Sequence, residues 1–209
     1  MNKIKTAKEI FNHYAIDYQN KFMNLDLYQH SFELFCKNIP KENAAILEIA
    51  CGPGNITKYL LNIRPDFKIL GIDLAPNMIE LARINNPEAQ FEVMDCRDIG
   101  LLPNKYDAIM CGFCLPYLSK EETIKLINDA TLQLKSDGVI YISTMEDDYN
   151  NSGIQTNSYG DQIYMYFHQS DYLTQALQAN GFKIIDLTRQ DYPTQAETKT
   201  TDLLILARK

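Results

Sequence analysis

Residues 46–57 read ILEIACGPGNIT, an apolar run interrupted by one carboxylate, stopped by two glycines and followed by NITKYLLNI, a helical pattern. A strand that ends in a glycine turn and feeds a helix is the opening of a crossover, and the rest of the chain continues in that rhythm. KILGID (68–73) reads as a strand, APNMIELARI (75–84) as a helix with Pro76 in its first turn, and QFEVMD (90–95) as a strand. YDAIMCGF (106–113) is again strand-like, KEETIKLINDATLQLK (120–135) a long helix, and VIYISTM (139–145) a strand entered through SDG. Strands alternating with helices imply parallel strands joined by right-handed crossovers. The expected fold is α/β, a doubly wound, Rossmann-like, mostly parallel sheet of seven strands.

Both ends depart from that rhythm. Residues 6–38 place Ile10, Phe11, Tyr14, Tyr18, Phe22, Leu25, Tyr28, Phe32 and Phe35 at helical spacing, which predicts an N-terminal cap of two or three amphipathic helices. Residues 147–160, DDYNNSGIQTNSYG, read as an exposed loop, QIYMYFHQ (162–169) as an extra strand, and SDYLTQALQAN (170–180) as a helix capped by Ser170 and stopped at Gly181. FKIIDLTRQDY and TTDLLILARK pair as a terminal antiparallel hairpin. The 209 residues suit one domain: a cap (1–40), a ligand-binding core (41–146), an insertion (147–169) and a C-terminal helix and hairpin (170–209).

Composition narrows the partners. Apolar residues make up 45% and charged residues 22%, a globular balance. No window approaches the roughly 18 apolar residues of a membrane span, and the N-terminus lacks a secretion signal, so a cytoplasmic location is expected. The formal charge is −7 with no basic block, which disfavours a nucleic-acid partner and favours a small molecule. Five cysteines suit free thiols. The C-x-x-C of Cys111 and Cys114 ends an apolar strand, whereas a redox pair usually opens a helix. With three histidines and no second cysteine pair, no metal site is expected.

Glycines at the end of the first strand let backbone approach a ligand closely, and the following helix offers unpaired N–H groups. A dinucleotide turn wants a third glycine, and Thr57 stands at that position. E-I-A-C-G-P-G (48–54) instead resembles the first motif of class I S-adenosylmethionine-dependent methyltransferases, and later segments resemble the rest of that family's core over roughly residues 44–145.

The resemblance implies S-adenosylmethionine as cofactor and assigns residues to it. Gly52 and Gly54 would bring backbone to its methionine end, with Glu48 ordering the turn or meeting the amino group through water. Asp73, closing GID, would accept from both ribose hydroxyls, Leu74 and Met78 would flank the adenine, Asp95 would take its amino group and Cys96 would contribute backbone. Ala50, Cys51, Asn55, Arg97, Cys111 and Phe113 stand in the same segments and are expected beside the cofactor. FNHYAIDYQ (11–19) resembles the family's tyrosine-bearing first helix, so Tyr18 is expected at the cofactor and Tyr14 at the acceptor.

Tyr117 and Tyr164 complete the expected acceptor contacts. Period-two alternation puts Tyr164, Tyr166 and His168 on one strand face, and His168, with Tyr166, is the candidate catalytic group because its ordinary pKa suits a base. The expected reaction is methyl transfer to a small molecule. FCLPYLS (113–119) lacks the N/D-P-P-Y/F pattern of enzymes that methylate planar amide or amino nitrogens. The thirteen tyrosines suit a flat or cationic acceptor and serve equally as partly buried filler. Two other readings stay open: a nicotinamide-dependent oxidoreductase on a similar sheet, and a non-catalytic cofactor-binding domain.

Overall fold

A computed structural model describes residues 4–193 and 200–209. The chain begins with β1 (Ile4–Lys5), α1 (Ala7–His13), α2 (Ala15–Phe22), a 3-10 turn at Asp26–Tyr28 and α3 (Gln29–Lys37). The core follows as β2 (Ala45–Ile49), α4 (Asn55–Ile63), β3 (Lys68–Asp73), α5 (Pro76–Asn85), β4 (Gln90–Val93), β5 (Tyr106–Gly112), α6 (Lys120–Gln133) and β6 (Leu134–Glu146). The last part adds β7 (Gly153–Thr156), β8 (Gln162–Met165), α7 (Ser170–Ala179), β9 (Lys183–Tyr192) and β10 (Thr200–Arg208).

Seven strands form one sheet in the order β4-β3-β2-β5-β6-β10-β9. The first five are parallel, and β10 runs antiparallel to both β6 and β9. The chain steps outward from β2 to β4, then returns to place β5 on the other side of β2. Strand order therefore reverses between β2 and β5, where an open parallel sheet leaves a crevice at its carboxyl end.

Burial explains why β2 is apolar at every position but one, because a central parallel strand is covered on both faces. Leu47 and Ile49 pack with Ile109 and Ile140 beneath α6 and α7. Ile46 packs on the opposite face with Met110, Tyr141, Phe32 and Phe35 beneath α3 and α4. Glu48 is the one carboxylate inside this strand and is 1% exposed. The long helix α6 starts where Ser119 and Glu122 form a capping box.

Four local expectations need correction. Residues 153–156 are not loop but β7, paired antiparallel with β8 so that Ile154 opposes Tyr164. The two residues of β1 add to the same small sheet, parallel to β8. Local polarity had marked this segment as a turn, and tertiary pairing overrides it. β8 stops at Met165, because the next two amides leave the ladder: Tyr166 N–H donates to the Pro116 carbonyl (2.8 Å) and Phe167 N–H to Ser152 Oγ (3.0 Å). Tyr164 and His168 thus do not share a strand face; the first is 43% exposed and the second fully buried.

Ser170 does not cap α7. Gln169 occupies that position without a side-chain cap, and Ser170 is the first helical residue, its amide donating to Glu146 Oε1 (3.2 Å). Finally, α6 ends at Gln133, and β6 begins at Leu134 with a register shift opposite Tyr106–Ala108. Asp137 takes a positive φ of 61° there. Among the described residues, no helix is long and apolar enough to cross a membrane.

Candidate functional site

The crevice between β2 and β5 opens into a cleft of about 160 Å³. A second void beneath α6 holds about 10 Å³, little more than one water position. The cleft floor is made by the ends of four strands. Ala50 and Gly52 follow β2, Asp73 and Leu74 close β3, Met94 to Arg97 follow β4, and Gly112 to Cys114 end β5. Two of these residues, Ala50 (φ 55°) and Phe113 (φ 52°), hold left-handed backbone without being glycine. Such conformers cost about 1–3 kcal/mol each and persist where surrounding structure imposes them. Here they turn the chain sharply away from adjacent strands and leave the crevice open.

The two glycines of the turn do different work. Gly52 has φ 54°, and a Cβ built on it would meet only Tyr18 Cε1, at 3.7 Å, so its freedom serves the open cleft. Gly54 has φ 77° and faces the other way, where a Cβ would come within 2.3 Å of Asn86 Nδ2 and 3.3 Å of the Ala82 backbone. Asn86 donates to the Gly54 carbonyl at 3.0 Å. Gly54 therefore lets α4 dock on α5 and does not line the cleft. Asn55, also expected at the ligand, donates to the Phe22 carbonyl (2.9 Å) and anchors the end of α2. Cys51 is buried against Ile79, Ala82 and Phe91.

Asp73 ties the corner together. Its Oδ2 accepts from the Gly52 amide (3.0 Å) and its Oδ1 from the Ala75 amide (2.8 Å). Burial raises its pKa while those amides favour the ionised form. Behind it, Glu48 Oε2 accepts from the Thr57 hydroxyl, and Glu48 Oε1 is buried with no partner. Burial pushes the Glu48 carboxyl up to about 8, against hydrogen bonds from Thr57 that favour its charge. Thr57, at the position where a dinucleotide turn wants glycine, is thus the partner of Glu48.

Asp95 and Arg97 form a bidentate pair at the rim: Nε donates to Oδ1 (2.9 Å) and Nη2 to Oδ2 (2.7 Å), while Nη1 reaches Glu122 (3.0 Å). Arg97 holds the Asp95 carboxyl below its ordinary pKa. Cys96 lines the cleft beside Cys114, and Cys111 is buried at the end of β5. The contact with Cys114, then burial, pushes Cys96 far up; Cys111 itself lies behind the wall.

The N-terminal cap roofs this floor. Tyr18 lines the cleft, its pKa pushed up to about 12 by burial and the nearby Asp73. Met78 and Tyr117 also line it, and burial raises the Tyr117 hydroxyl. Several lining residues carry no motif and went unpredicted: Lys8, Phe11, Met94, Cys114 and Leu118. Phe11 had a usable signal, because it sits seven residues before Tyr18 on one helical stripe; its ring lies 5.7 Å from Tyr18 and 5.1 Å from Tyr117.

The four residues expected from the insertion and first helix stand outside the cleft. Tyr14 donates to Asp161 (2.7 Å) and stacks on Tyr159 at 4.2 Å. Tyr164 and Tyr166 pack on each other with centroids 4.8 Å apart. His168 Nε2 donates to the Leu115 carbonyl at 2.8 Å, which leaves Nδ1 to accept from the Tyr172 hydroxyl. Burial lowers its pKa. Nε2 thus holds the 3-10 turn Leu115–Tyr117, and Nδ1 ties the ring to α7.

Residues 46–138 match a family model described as "methyltransferase domain". A putative methyltransferase of Invertebrate iridescent virus 6 is 33% identical over 101 residues, 48% of this chain and 37% of that protein. A malonyl-[acyl-carrier protein] O-methyltransferase of Acetivibrio thermocellus is 36% identical over 106 residues, 50% of this chain and 36% of its own. The matches thus span little more than a third of these curated relatives. Among solved structures, the N-methyltransferase NodS of Bradyrhizobium japonicum superposes with a TM-score of 0.73 at 14% identity, covering 98% of this chain and 99% of NodS. A 1,6-didemethyltoxoflavin-N1-methyltransferase of Burkholderia thailandensis gives 0.71 at 19% identity, over 97% and 86%. These structures share the fold.

Proposed function

We propose that this chain, whose core is a class I S-adenosylmethionine-dependent methyltransferase domain, transfers the cofactor's methyl group to a small-molecule acceptor. The observation that carries the reading is the Gly52–Asp73 corner. There an open backbone and a partly buried carboxylate meet at the cleft, with the unpartnered Glu48 Oε1 buried behind them. That arrangement fits a ligand with a diol at one end and an ammonium at the other. When bound, S-adenosylmethionine supplies a methyl group already activated by its sulfonium charge.

The chain's part is then to bind, align and dry the site. Asp73 holds the ribose hydroxyls through lone pairs left free by its two amide donors. Leu74 and Met78 would pack the adenine, Asp95 and Arg97 would edge it, and Gly52 with Ala50 would hold the methionine portion. Phe11, Tyr18 and Tyr117 exclude water from above. His168 is a positioning residue for the Tyr117 turn rather than a base, since neither of its nitrogens is free. A nicotinamide cofactor is less well served, because the third-glycine position is given over to the Thr57–Glu48 contact. The whole chain is read as one catalytic domain with its cap and insertion, and five free thiols suit a reducing, cytoplasmic setting.

Calorimetry with S-adenosylhomocysteine tests this reading. Wild-type protein is expected to bind one equivalent, and Asp73→Ala to weaken binding by about 10–100-fold, the loss of charge-assisted hydrogen bonds worth about 1.5–3 kcal/mol. Unchanged affinity in that variant would remove the corner from the site.

A further inference from the structure

Beyond the cleft, at the same end of the sheet, lies a second buried carboxylate. Asp202 sits on β10 opposite Met145 of β6, beyond the level at which Gly112 of β5 pairs with Ser143. It is 2% exposed. It accepts one hydrogen bond, from the Tyr28 hydroxyl at 2.6 Å, and no lysine or arginine among the described residues pairs with it. Burial raises its pKa, as an uncompensated interior charge requires.

Its hydroxyl partner connects it to the cleft wall. The Tyr28 ring lies 5.3 Å from Phe113, which lines the cleft wall. Tyr192 ends β9 opposite Thr200, on the same sheet face as Asp202, and its hydroxyl acts on those of both Tyr28 and Tyr18. Phe113 and Tyr28 therefore stand in series between the cleft and a carboxylate that lacks a counter-charge. Arg189, on the neighbouring strand, is held by Glu146 and Ser170 and does not supply one.

A buried carboxylate that accepts from a neutral hydroxyl and has no counter-charge favours a cation by direct pairing. An acidic acceptor would meet like charge there, and a neutral one would leave the buried charge uncompensated. We propose that Asp202, held by Tyr28 behind Phe113 and on the sheet face of Tyr192, is the acceptor-binding carboxylate, and that the acceptor is an amine that docks as its ammonium ion. This assignment rests on the methyltransferase reading and adds the chemical class of its second substrate.

The test compares benzylammonium with its neutral isostere benzyl alcohol, titrated by NMR into full-length protein saturated with S-adenosylhomocysteine. Benzylammonium is expected to bind at least tenfold more tightly to the wild type. Asp202→Asn, which keeps an acceptor for Tyr28, should erase that preference while S-adenosylhomocysteine affinity stays within about twofold. Tyr28→Phe, which retains the carboxylate, should keep the preference. Equal affinities in the wild type, absence of benzylammonium binding, or a preference that survives in Asp202→Asn would each overturn the proposal. The wild-type comparison stands even where a variant fails to fold. Failure of the wild type to bind S-adenosylhomocysteine would instead overturn the reading beneath it.

Discussion

The glycine corner and the Asp202 recess occupy the same end of one sheet, yet they are built by opposite means. At the corner, Gly52, Asp73 and the residues after β4 each follow a strand within a crossover. Every functional atom is placed by the segment that carries it. At Asp202 the site is assembled from residues 174 positions apart, Tyr28 in the cap and Asp202 in the last strand. Local chain direction makes the first kind of site, and packing of distant elements makes the second.

The largest expected effect separates the two glycines of the corner itself. Gly54→Ala forces a Cβ into Asn86 and the Ala82 backbone at a left-handed φ, and should cost about 2–5 kcal/mol of stability from overpacking plus conformational strain. Gly52→Ala meets no close atom and should cost only about 1–2 kcal/mol, while weakening S-adenosylhomocysteine more than Gly54→Ala does. Urea denaturation and calorimetry on both variants would decide it. Equal stability losses would mean that the corner is a single packing unit.

Glu48 offers the next effect, through pH. Its folded pKa, about 8, stands above the reference value of 4.5. Between those values the folded chain keeps a proton that the unfolded chain has lost, so stability falls as pH rises from 4.5 and levels off above 8. The slope is at most about 1.4 kcal/mol per pH unit. Glu48→Gln should flatten it, read as the wild-type-minus-variant difference in urea midpoints across pH 5–9. A bound ammonium group should flatten it too, by favouring the ionised form. A pH-independent difference would show that Glu48 keeps an ordinary pKa.

The corner was legible in the sequence because its signals are short: an acidic strand end, a G-x-G, and a carboxylate closing each of the next two strands. Gly54 and Asn55 carried the right motif, and packing against Asn86 and Phe22 gives them other duties. The insertion was less legible, since β7 exists only because β8 lies beside it. Ser170 has the right residue type for a cap, but Glu146 takes that part from across the chain. Asp202 left a sign that could have been read: in TTDLLILAR the aspartate falls in phase with Leu204 and Leu206, on a face that is otherwise buried. A charge on a core face, with no partner nearby in sequence, is a reason to look for one far away.

A contact between cap and insertion gives the smallest effect and the sharpest view of how those two regions are coupled. Asp161, just before β8, accepts from Lys5 Nζ (2.6 Å) and from the Tyr14 hydroxyl (2.7 Å), while Tyr14 stacks on Tyr159. The pair is partly exposed and screened by solvent, so it adds little to stability, and Asp161→Asn should shift the melting temperature little. The helices on either side of Tyr14, however, carry Lys8, Phe11 and Tyr18 over the cleft, so a cofactor held beneath them would be released by their lifting. Loosening that tie should raise the dissociation rate of S-adenosylhomocysteine about two- to fivefold in stopped-flow displacement, with the association rate less affected. If the dissociation rate is unchanged, the cap opens independently of the insertion, and the small sheet formed by β1, β7 and β8 is a structural appendage rather than part of the roof.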